Sequence, residues 1–170
     1  MQATMNGAAP SRKGLTSDQV NQFWIDGYIS LGKVLGDDDI ATLCDAYDAE
    51  FEKARAGQTN FRNLAIDDTD DLEAKNAADT QMLQIMQMCE RNIHFTKLLY
   101  NERILDTVED LIGPNIQLFH DQALFKPPHH GGPVHWHQDN AYWQCTPSNL
   151  VSAWITLDDV DINNGAMQFI

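Results

Sequence analysis

The chain of 170 residues is long enough for one domain with a substantial core and short for two. It has 25 acidic and 11 basic side chains, for a net charge of −14. This charge argues against nucleic acid and against an anionic membrane surface as partners, because phosphate groups are bound by basic faces.

Cysteine content and the N-terminal residues bear on the compartment. Cys44, Cys89 and Cys145 lie far apart and form no CxxC pair. An odd, scattered set of this kind indicates free thiols in a reducing compartment, so we predict a cytoplasmic protein. Residues 1–14 have two basic residues with no apolar segment after them, which predicts a disordered tail rather than a signal peptide. No run of the roughly 18 apolar residues that a transmembrane helix needs is present.

Two helices are predicted in the first third of the chain. The first begins at a capping box formed by Thr16 and Gln19, and Gly27 supplies a left-handed residue at its end. Residues 28–31 then resemble a short strand. The second helix begins with three aspartates at residues 37–39, which suit the positive end of a helix dipole, and Gly57 closes it.

The middle of the chain has weaker signals. Residues 58–79 lack periodicity, and their acidic run DDTDDLE at 67–73 lacks the glycine turn of an EF-hand, so it is interpreted as a solvated loop. Residues 82–88 are apolar and fit a buried strand or a buried helix equally well. Asn92 and Asn101 are predicted to cap two more helices, the second of which ends at Gly113.

Strand signals dominate after residue 114. Residues 116–125, 134–139, 150–157 and 166–170 look extended, with a tight turn at residues 163–165. Helices followed by strands predict the α+β class with an antiparallel sheet. We expect residues 15–170 to form a single domain, mainly helical over 15–113 and built of strands over 114–170. The sequence stops within an apolar strand, and no Lys or Arg follows Lys126, so we expect a fragment or truncated isoform of a longer chain.

The clearest chemical signal is HWHQD at residues 135–139. Alternation along a strand would place residues 135, 137 and 139 on one face, so that His137 and Asp139 could bind the same ion. An imidazole and a carboxylate in H-x-D, completed by a distant His, make the facial triad of non-haem Fe(II) oxygenases. Such a triad leaves positions open for a chelating co-substrate and O2.

Two other interpretations of these residues remain open. H-x-D also occurs by chance, in which case the pair is only a polar, hydrogen-bonded strand face. With His135 included, H-x-H-x-D also begins the zinc site of metallo-β-lactamase-type hydrolases. Those proteins usually have another His where Asn140 stands, and they place the motif in a loop that follows a strand and precedes a helix, whereas a strand is expected here.

Short motifs surround the H-x-D pair in a fixed order. They are Leu15-Thr16, Phe23, Asp26-Gly27-Tyr28, Lys126-Pro127-Pro128, Tyr142-Trp143, Pro147-Ser148-Asn149-Leu150, Ala153-Trp154 and Asn163-Asn164-Gly165-Ala166. Together they closely resemble the phytanoyl-CoA dioxygenase family of Fe(II)- and 2-oxoglutarate-dependent oxygenases. The resemblance covers nearly the whole chain after residue 14, and the motifs are jointly specific although each is weak alone.

The resemblance implies both a fold and a set of site residues. The fold would be helices followed by the first part of a double-stranded β-helix, a cupin-like jelly roll that is incomplete here. His137 and Asp139 would bind iron, Trp154 would line the 2-oxoglutarate pocket, and Gln122 would face that co-substrate or the substrate. Packing within an apolar strand is an equal alternative for Trp154. The distal His ligand and the Arg that pairs with 2-oxoglutarate would lie beyond Ile170, so no catalytic residue is assigned within the chain.

The predicted function is therefore that of a dioxygenase that hydroxylates a small-molecule substrate, using Fe(II), 2-oxoglutarate and O2. Asp139 favours an oxygenase over the related halogenases, which have Ala or Gly there. The chain itself is expected to be weakly active or inactive. A zinc-dependent hydrolase and a non-catalytic truncated module are the alternatives. The substrate is left open, and no basic cluster marks a site for the phosphates of CoA.

Overall fold

A computed structural model of the protein describes residues 14–66, 72–77, 81–129, 131–143 and 145–170. The predicted tail, apart from residue 14, and residues 67–71 of the acidic run lie outside the described residues. Within the described ranges the elements are α1 (Ser17–Asp26), α2 (Asp37–Arg55), β1 (Arg62–Asn63), α3 (Leu72–Ala77), β2 (Leu83–Met86), α4 (Met88–Arg91), α5 (Ile93–Leu98), α6 (Glu102–Ile112), β3 (Gln122–Phe125) and α7 (Asp139–Trp143). No helix in these ranges has the length and apolar character needed to cross a membrane.

The predicted helix ends are confirmed. Thr16 and Gln19 form both hydrogen bonds of a capping box at the start of α1, and Gly27 follows that helix with a φ of 78°. Asn92 and Asn101 each accept a hydrogen bond from a backbone N–H in the first turn of α5 and α6, respectively. These caps satisfy backbone donors that have no partner inside the helix, which is why short polar residues were informative signals.

The three strands form an antiparallel sheet with β2 in the centre, so the predicted α+β class is confirmed. Residues 82–88, which the sequence left ambiguous, contain β2 and then the start of α4. Leu83 and Ile85 are almost fully buried on one face of β2, whereas Gln84 and Met86 lie on the other face. The sheet therefore has one apolar face and one face with polar groups, and Gln122 on β3, paired with Met86, shares the second.

The core lies between the apolar face of the sheet and the helices α2 and α5. Its buried residues are Leu35, Leu43, Ala46, Phe51, Ala54, Phe61, Leu83, Ile85, Met88, Phe95 and Ala123. Tyr47 of α2 also donates a hydrogen bond from its hydroxyl to the backbone carbonyl of Leu124 on β3. Burial raises the pKa of Tyr47, with nearby carboxylates adding to the effect, so this hydroxyl remains a donor at physiological pH.

Several segments predicted as strands form no ladder in the described part of the chain. Residues 28–31, 150–157 and 166–170 pair with no other backbone there, and residues 134–138 are irregular with a bend at Trp136. The prediction of a strand over 134–139 is wrong at its end as well, because Asp139 begins α7. Conversely, residues 58–79, predicted to be irregular, contain β1 and α3. A strand exists only where a second backbone hydrogen-bonds to it, and apolar alternation does not supply that partner.

Side chains anchor some of these segments in place of a ladder. The rings of Tyr28 and Phe169 stack with centroids 4.2 Å apart and planes 10° from parallel, which joins residues 28–31 to residues 166–170. Ile155 and Leu157 pack against the core, while Thr156 between them is exposed. The predicted turn at residues 163–165 is confirmed, since the N–H of Ala166 donates to the carbonyl of Asp161 at 3.0 Å.

Asp121 joins the start of β3 to the start of α4. Its carbonyl oxygen accepts from the N–H of Gln87 at 2.8 Å, and its Oδ2 accepts from the N–H of Cys89 at 2.9 Å. Partial burial, together with the Asp121 carboxylate, raises the pKa of the Cys89 thiol to about 11. Because the thiolate is the reactive form, Cys89 is an unreactive thiol at neutral pH.

We expect alkylation of Cys89 by iodoacetamide to be slow and to accelerate about tenfold per pH unit up to at least pH 10, since the thiolate fraction keeps rising below a pKa of about 11. Asp121→Asn removes the neighbouring negative charge and should shift the profile to lower pH. Mass spectrometry of the Cys89 peptide measures both rates. A rate that levels off near pH 9 in the unaltered chain, as for an ordinary thiol, would contradict this expectation.

Candidate metal site

His137 lies on the irregular segment that precedes α7. Its Nδ1 atom is 2.7 Å from the backbone carbonyl oxygen of His135. A carbonyl oxygen only accepts hydrogen bonds, so in the neutral ring Nδ1 carries the proton and Nε2 carries the lone pair. Histidines that bind metals are commonly held in this way, with the second ring nitrogen donating to a carbonyl or carboxylate.

Asp139 presents its carboxylate to the lone pair of His137. The distance from Asp139 Oδ1 to His137 Nε2 is 3.6 Å, and both side chains are partly exposed. The other oxygen, Oδ2, accepts a hydrogen bond from the hydroxyl of Ser152 at 2.5 Å. Asp139 therefore has one oxygen engaged by Ser152 and one oxygen directed at His137.

The geometry of the pair fits a shared metal ion. At 3.6 Å, Nε2 and Oδ1 are too far apart for a direct hydrogen bond, and in the neutral ring Nε2 has no proton to donate. Two neighbouring ligand atoms bonded to one ion at about 2.1 Å each lie roughly 3 to 3.7 Å apart. Two acceptors facing each other at this separation can be bridged by a cation, and with a protonated ring the same two atoms would form an ion pair.

The third residue of H-x-H-x-D does not join this pair. His135 contributes its backbone carbonyl to His137, and no three side chains of His, Cys, Asp or Glu converge into a metal-binding group within the described ranges. The zinc-site interpretation needs His135, His137 and Asp139 on one ion. The motif lies on an irregular segment followed directly by α7, which is the setting of the hydrolase motif, but the contact that His135 makes with His137 is through its backbone carbonyl.

Two aromatic residues of α7 pack against different neighbours, one against His137 and one against the segment before β3. The ring of Tyr142 packs edge-on against His137, with centroids 5.5 Å apart and an interplanar angle of 78°. Trp143, the next residue, packs against His120 at 4.7 Å and Phe119 at 5.8 Å between centroids. Tyr142 thus borders the candidate metal site, while Trp143 packs α7 against the segment before β3.

The loop after α7 is tied to the same helix by polar contacts. The amide of Asn140 donates to the hydroxyl of Ser148 at 3.2 Å, and its Oδ1 accepts from the N–H of Cys145 at 3.2 Å. Asn149 then donates to the carbonyl of Ile112, at the end of α6. These contacts link α7 to the loop that follows it and link that loop to the end of α6.

Gln122 and Trp154 are the residues that the sequence predicts to contact the co-substrate. Within the described part of the chain, neither makes a hydrogen bond or a ring contact with His137 or Asp139. Trp154 is 49% exposed and does not belong to the core. It is two residues from Ser152, and Ile155 after it packs on the core, so alternation directs Trp154 away from the core.

Gln84 is a candidate residue that the sequence did not reveal. Its side-chain amide donates to Oε1 of Gln122 across the sheet, while its own Oε1 is buried and accepts no hydrogen bond from the described residues. A buried acceptor without a donor costs about 1 to 3 kcal/mol, so this atom needs a polar partner, which a water or a ligand can supply. The signal was hidden because finding it requires knowing that residues 83–86 form a strand and how that strand pairs with β3.

Comparison with known proteins adds independent information. The family model described as phytanoyl-CoA dioxygenase matches residues 23–170. The probable alpha-ketoglutarate-dependent hypophosphite dioxygenase of Stutzerimonas stutzeri is 27% identical over 155 residues, which cover 89% of this chain and 51% of that protein. The peroxisomal phytanoyl-CoA dioxygenase of Mus musculus is 31% identical over 163 residues, which cover 90% of this chain and 46% of that protein. The chain thus spans about half the length of these curated relatives, and no solved structure matches it.

We expect the chain to bind one Co(II) ion, used as a spectroscopic substitute for Fe(II), through His137 and Asp139. His137→Ala and Asp139→Ala should each weaken binding at least tenfold, because even residues that only support a ligand typically contribute 10- to 100-fold. Absorption titrations under argon measure the affinity.

His135→Ala is the matched control for these titrations. Only the backbone of His135 contacts His137, so its substitution should leave Co(II) affinity within about threefold. An equal loss in His135→Ala would indicate the three-ligand site of a zinc hydrolase instead.

Proposed function

Because the chain belongs to the phytanoyl-CoA dioxygenase family, we propose that it forms the iron-binding part of a 2-oxoglutarate-dependent dioxygenase that hydroxylates a small molecule. Relatives named as dioxygenases support the general reaction. The observation in this chain that supports the proposal most directly is the approach of His137 Nε2 to Asp139 Oδ1 at 3.6 Å.

In this proposal, His137 and Asp139 are two of the three protein ligands of a 2-His-1-carboxylate site. Bound Fe(II), with 2-oxoglutarate and O2, supplies the oxidising chemistry that couples release of succinate and CO2 to hydroxylation of a C–H bond. The residues of the chain hold and orient the site. The carbonyl of His135 sets the tautomer of His137, and α7 places Asp139 one turn before Tyr142, whose ring covers one side of the imidazole.

The third ligand and the carboxylate-binding Arg are proposed to come from the part of the whole protein that this chain does not span. In the same way, we propose the jelly roll for the whole protein, with residues 150–157 and 166–170 as strands that pair with that part. Large apolar side chains support this proposal, because they are exposed over this region of the chain. They are Val134, Trp136, Trp154, Ile162, Phe169 and Ile170.

The co-substrate is proposed to lie on the sheet face that carries Gln84 and Gln122, with Trp154 as an apolar wall. The assignment of O and N in a glutamine amide is a matter of orientation. With both amides turned over, Nε2 of Gln122 donates to Oε1 of Gln84, and Nε2 of Gln84 becomes a donor at the buried position. A donor there suits a carboxylate of 2-oxoglutarate.

The two relatives are named for different substrates, a small inorganic anion and a CoA thioester, so neither name carries over to this chain. We propose a small molecule without a large anionic group. The net charge is −14, and no Lys or Arg follows Lys126 in this sequence, so residues 127–170 contribute no such cation to pair with CoA phosphates. Three free thiols support the further proposal of a reducing, cytoplasmic setting.

The function is tested by measuring succinate production in the whole protein with Fe(II), ascorbate and 2-oxoglutarate. We expect turnover that depends on both Fe(II) and 2-oxoglutarate and falls to background in His137→Ala and Asp139→Ala, because each substitution removes a ligand. The 170-residue chain alone should bind iron weakly and turn over little, since it presents two ligands.

His135→Ala again serves as the control and should retain turnover. Activity that requires Zn(II) and ignores 2-oxoglutarate would contradict the proposal and favour the hydrolase. We also propose that the ligands of the site come from two parts of the whole protein. Tight 1:1 Fe(II) binding by the 170-residue chain, with substrate-stimulated succinate release, would contradict that proposal.

A further inference from the structure

The hydroxyl of Ser152 contacts the candidate metal ligand Asp139 from a distant part of the chain. Thirteen residues separate the two in sequence, and Ser152 Oγ lies 2.5 Å from Asp139 Oδ2. We propose that Ser152 is a positioning residue that holds the carboxylate with Oδ1 turned toward His137. This inference rests on the proposed function, because it takes His137 and Asp139 to be iron ligands.

The carboxylate of Asp139 needs such a partner. Asp139 is the first residue of a five-residue helix, and its side chain is 39% exposed, so packing alone does not fix its rotamer. A carboxylate only accepts hydrogen bonds, so the Ser152 hydroxyl is the donor. A bond of this type to an ionised acceptor is short and about twice as strong as a neutral one.

Ser152 is itself held by the core. Three and five residues later, Ile155 and Leu157 pack against the buried cluster, and the thiol of Cys44 on α2 donates to the carbonyl of Leu157 at 3.7 Å. The segment that carries Ser152 is therefore anchored to the buried core three and five residues further on. The Ser152 hydroxyl connects this segment to the Asp139 carboxylate, which is proposed to bind the metal.

A second polar contact between the same two regions provides a matched comparison. Asn140, next to Asp139, donates to the hydroxyl of Ser148 at 3.2 Å. This contact also joins α7 to the chain after it, but it touches no candidate ligand. A purely structural role would be shared by Ser148 and Ser152, whereas a positioning role belongs to Ser152 alone.

The test is Co(II) titration of the 170-residue chain in four variants, with circular dichroism to verify folding. Ser152→Ala should weaken Co(II) binding about 10- to 100-fold, the usual effect of losing a residue that orients a ligand. Ser152→Thr keeps the hydroxyl and should stay within about threefold of the unaltered chain, as should Ser148→Ala. With excess Co(II), the visible spectrum of Ser152→Ala should also change, because the carboxylate is then able to rotate.

His137→Ala is the fourth variant and separates the two proposals. If it loses Co(II) binding while Ser152→Ala binds normally, the role of Ser152 is refuted and the metal site stands. Equal weakening in Ser152→Ala and Ser148→Ala also refutes the positioning role. If His137→Ala binds Co(II) as the unaltered chain does, the metal site is refuted and the role of Ser152 falls with it.

Discussion

Burial of one face of β2 determines which residues of the sheet lie in the core and which lie on its other face. Leu83 and Ile85 are removed from water against α2 and α5, and each such side chain contributes about 1.5 to 3 kcal/mol relative to exposure. Alternation then forces Gln84 and Met86 to the opposite face. Because β3 pairs with β2 in a fixed register, Gln122 is brought to the same face as Gln84. The core thereby determines which side of the sheet is available for a ligand.

The candidate metal site uses the same core indirectly. Its two candidate ligand atoms, His137 Nε2 and Asp139 Oδ1, face each other at 3.6 Å, a separation that a shared cation can bridge. Each is oriented by a contact on its other side: the carbonyl of His135 for the imidazole and the hydroxyl of Ser152 for the carboxylate. Since Ser152 belongs to a segment packed on the core, the core is connected through Ser152 to a site on an exposed surface.

The sequence was sufficient where a signal is local. Thr16, Asn92 and Asn101 cap helices through contacts within three residues, so their roles follow from spacing alone. The H-x-D pair was found for the same reason, although the assumed strand geometry at Asp139 was wrong. Non-local features were out of reach. The contact of Ser152 with Asp139 and the buried, unpaired oxygen of Gln84 both depend on how separate segments are brought together. Residues 150–157 have a strand-like sequence but form no strand here, because alternation does not specify the backbone that would pair with them.

We propose that His137 and Asp139 form the preferred cation site of this strongly acidic chain. NMR of the 15N-labelled chain with substoichiometric Mn(II) locates that site, because this paramagnetic ion broadens the signals of nearby nuclei. If the ion binds at His137 and Asp139, the amide signals of residues 135–143 and of Ser152 broaden first, while those of α1 and α5 remain sharp. Broadening centred instead on Asp158, Asp159 and Asp161 would show that Mn(II) follows the general negative charge, and it would contradict the claim.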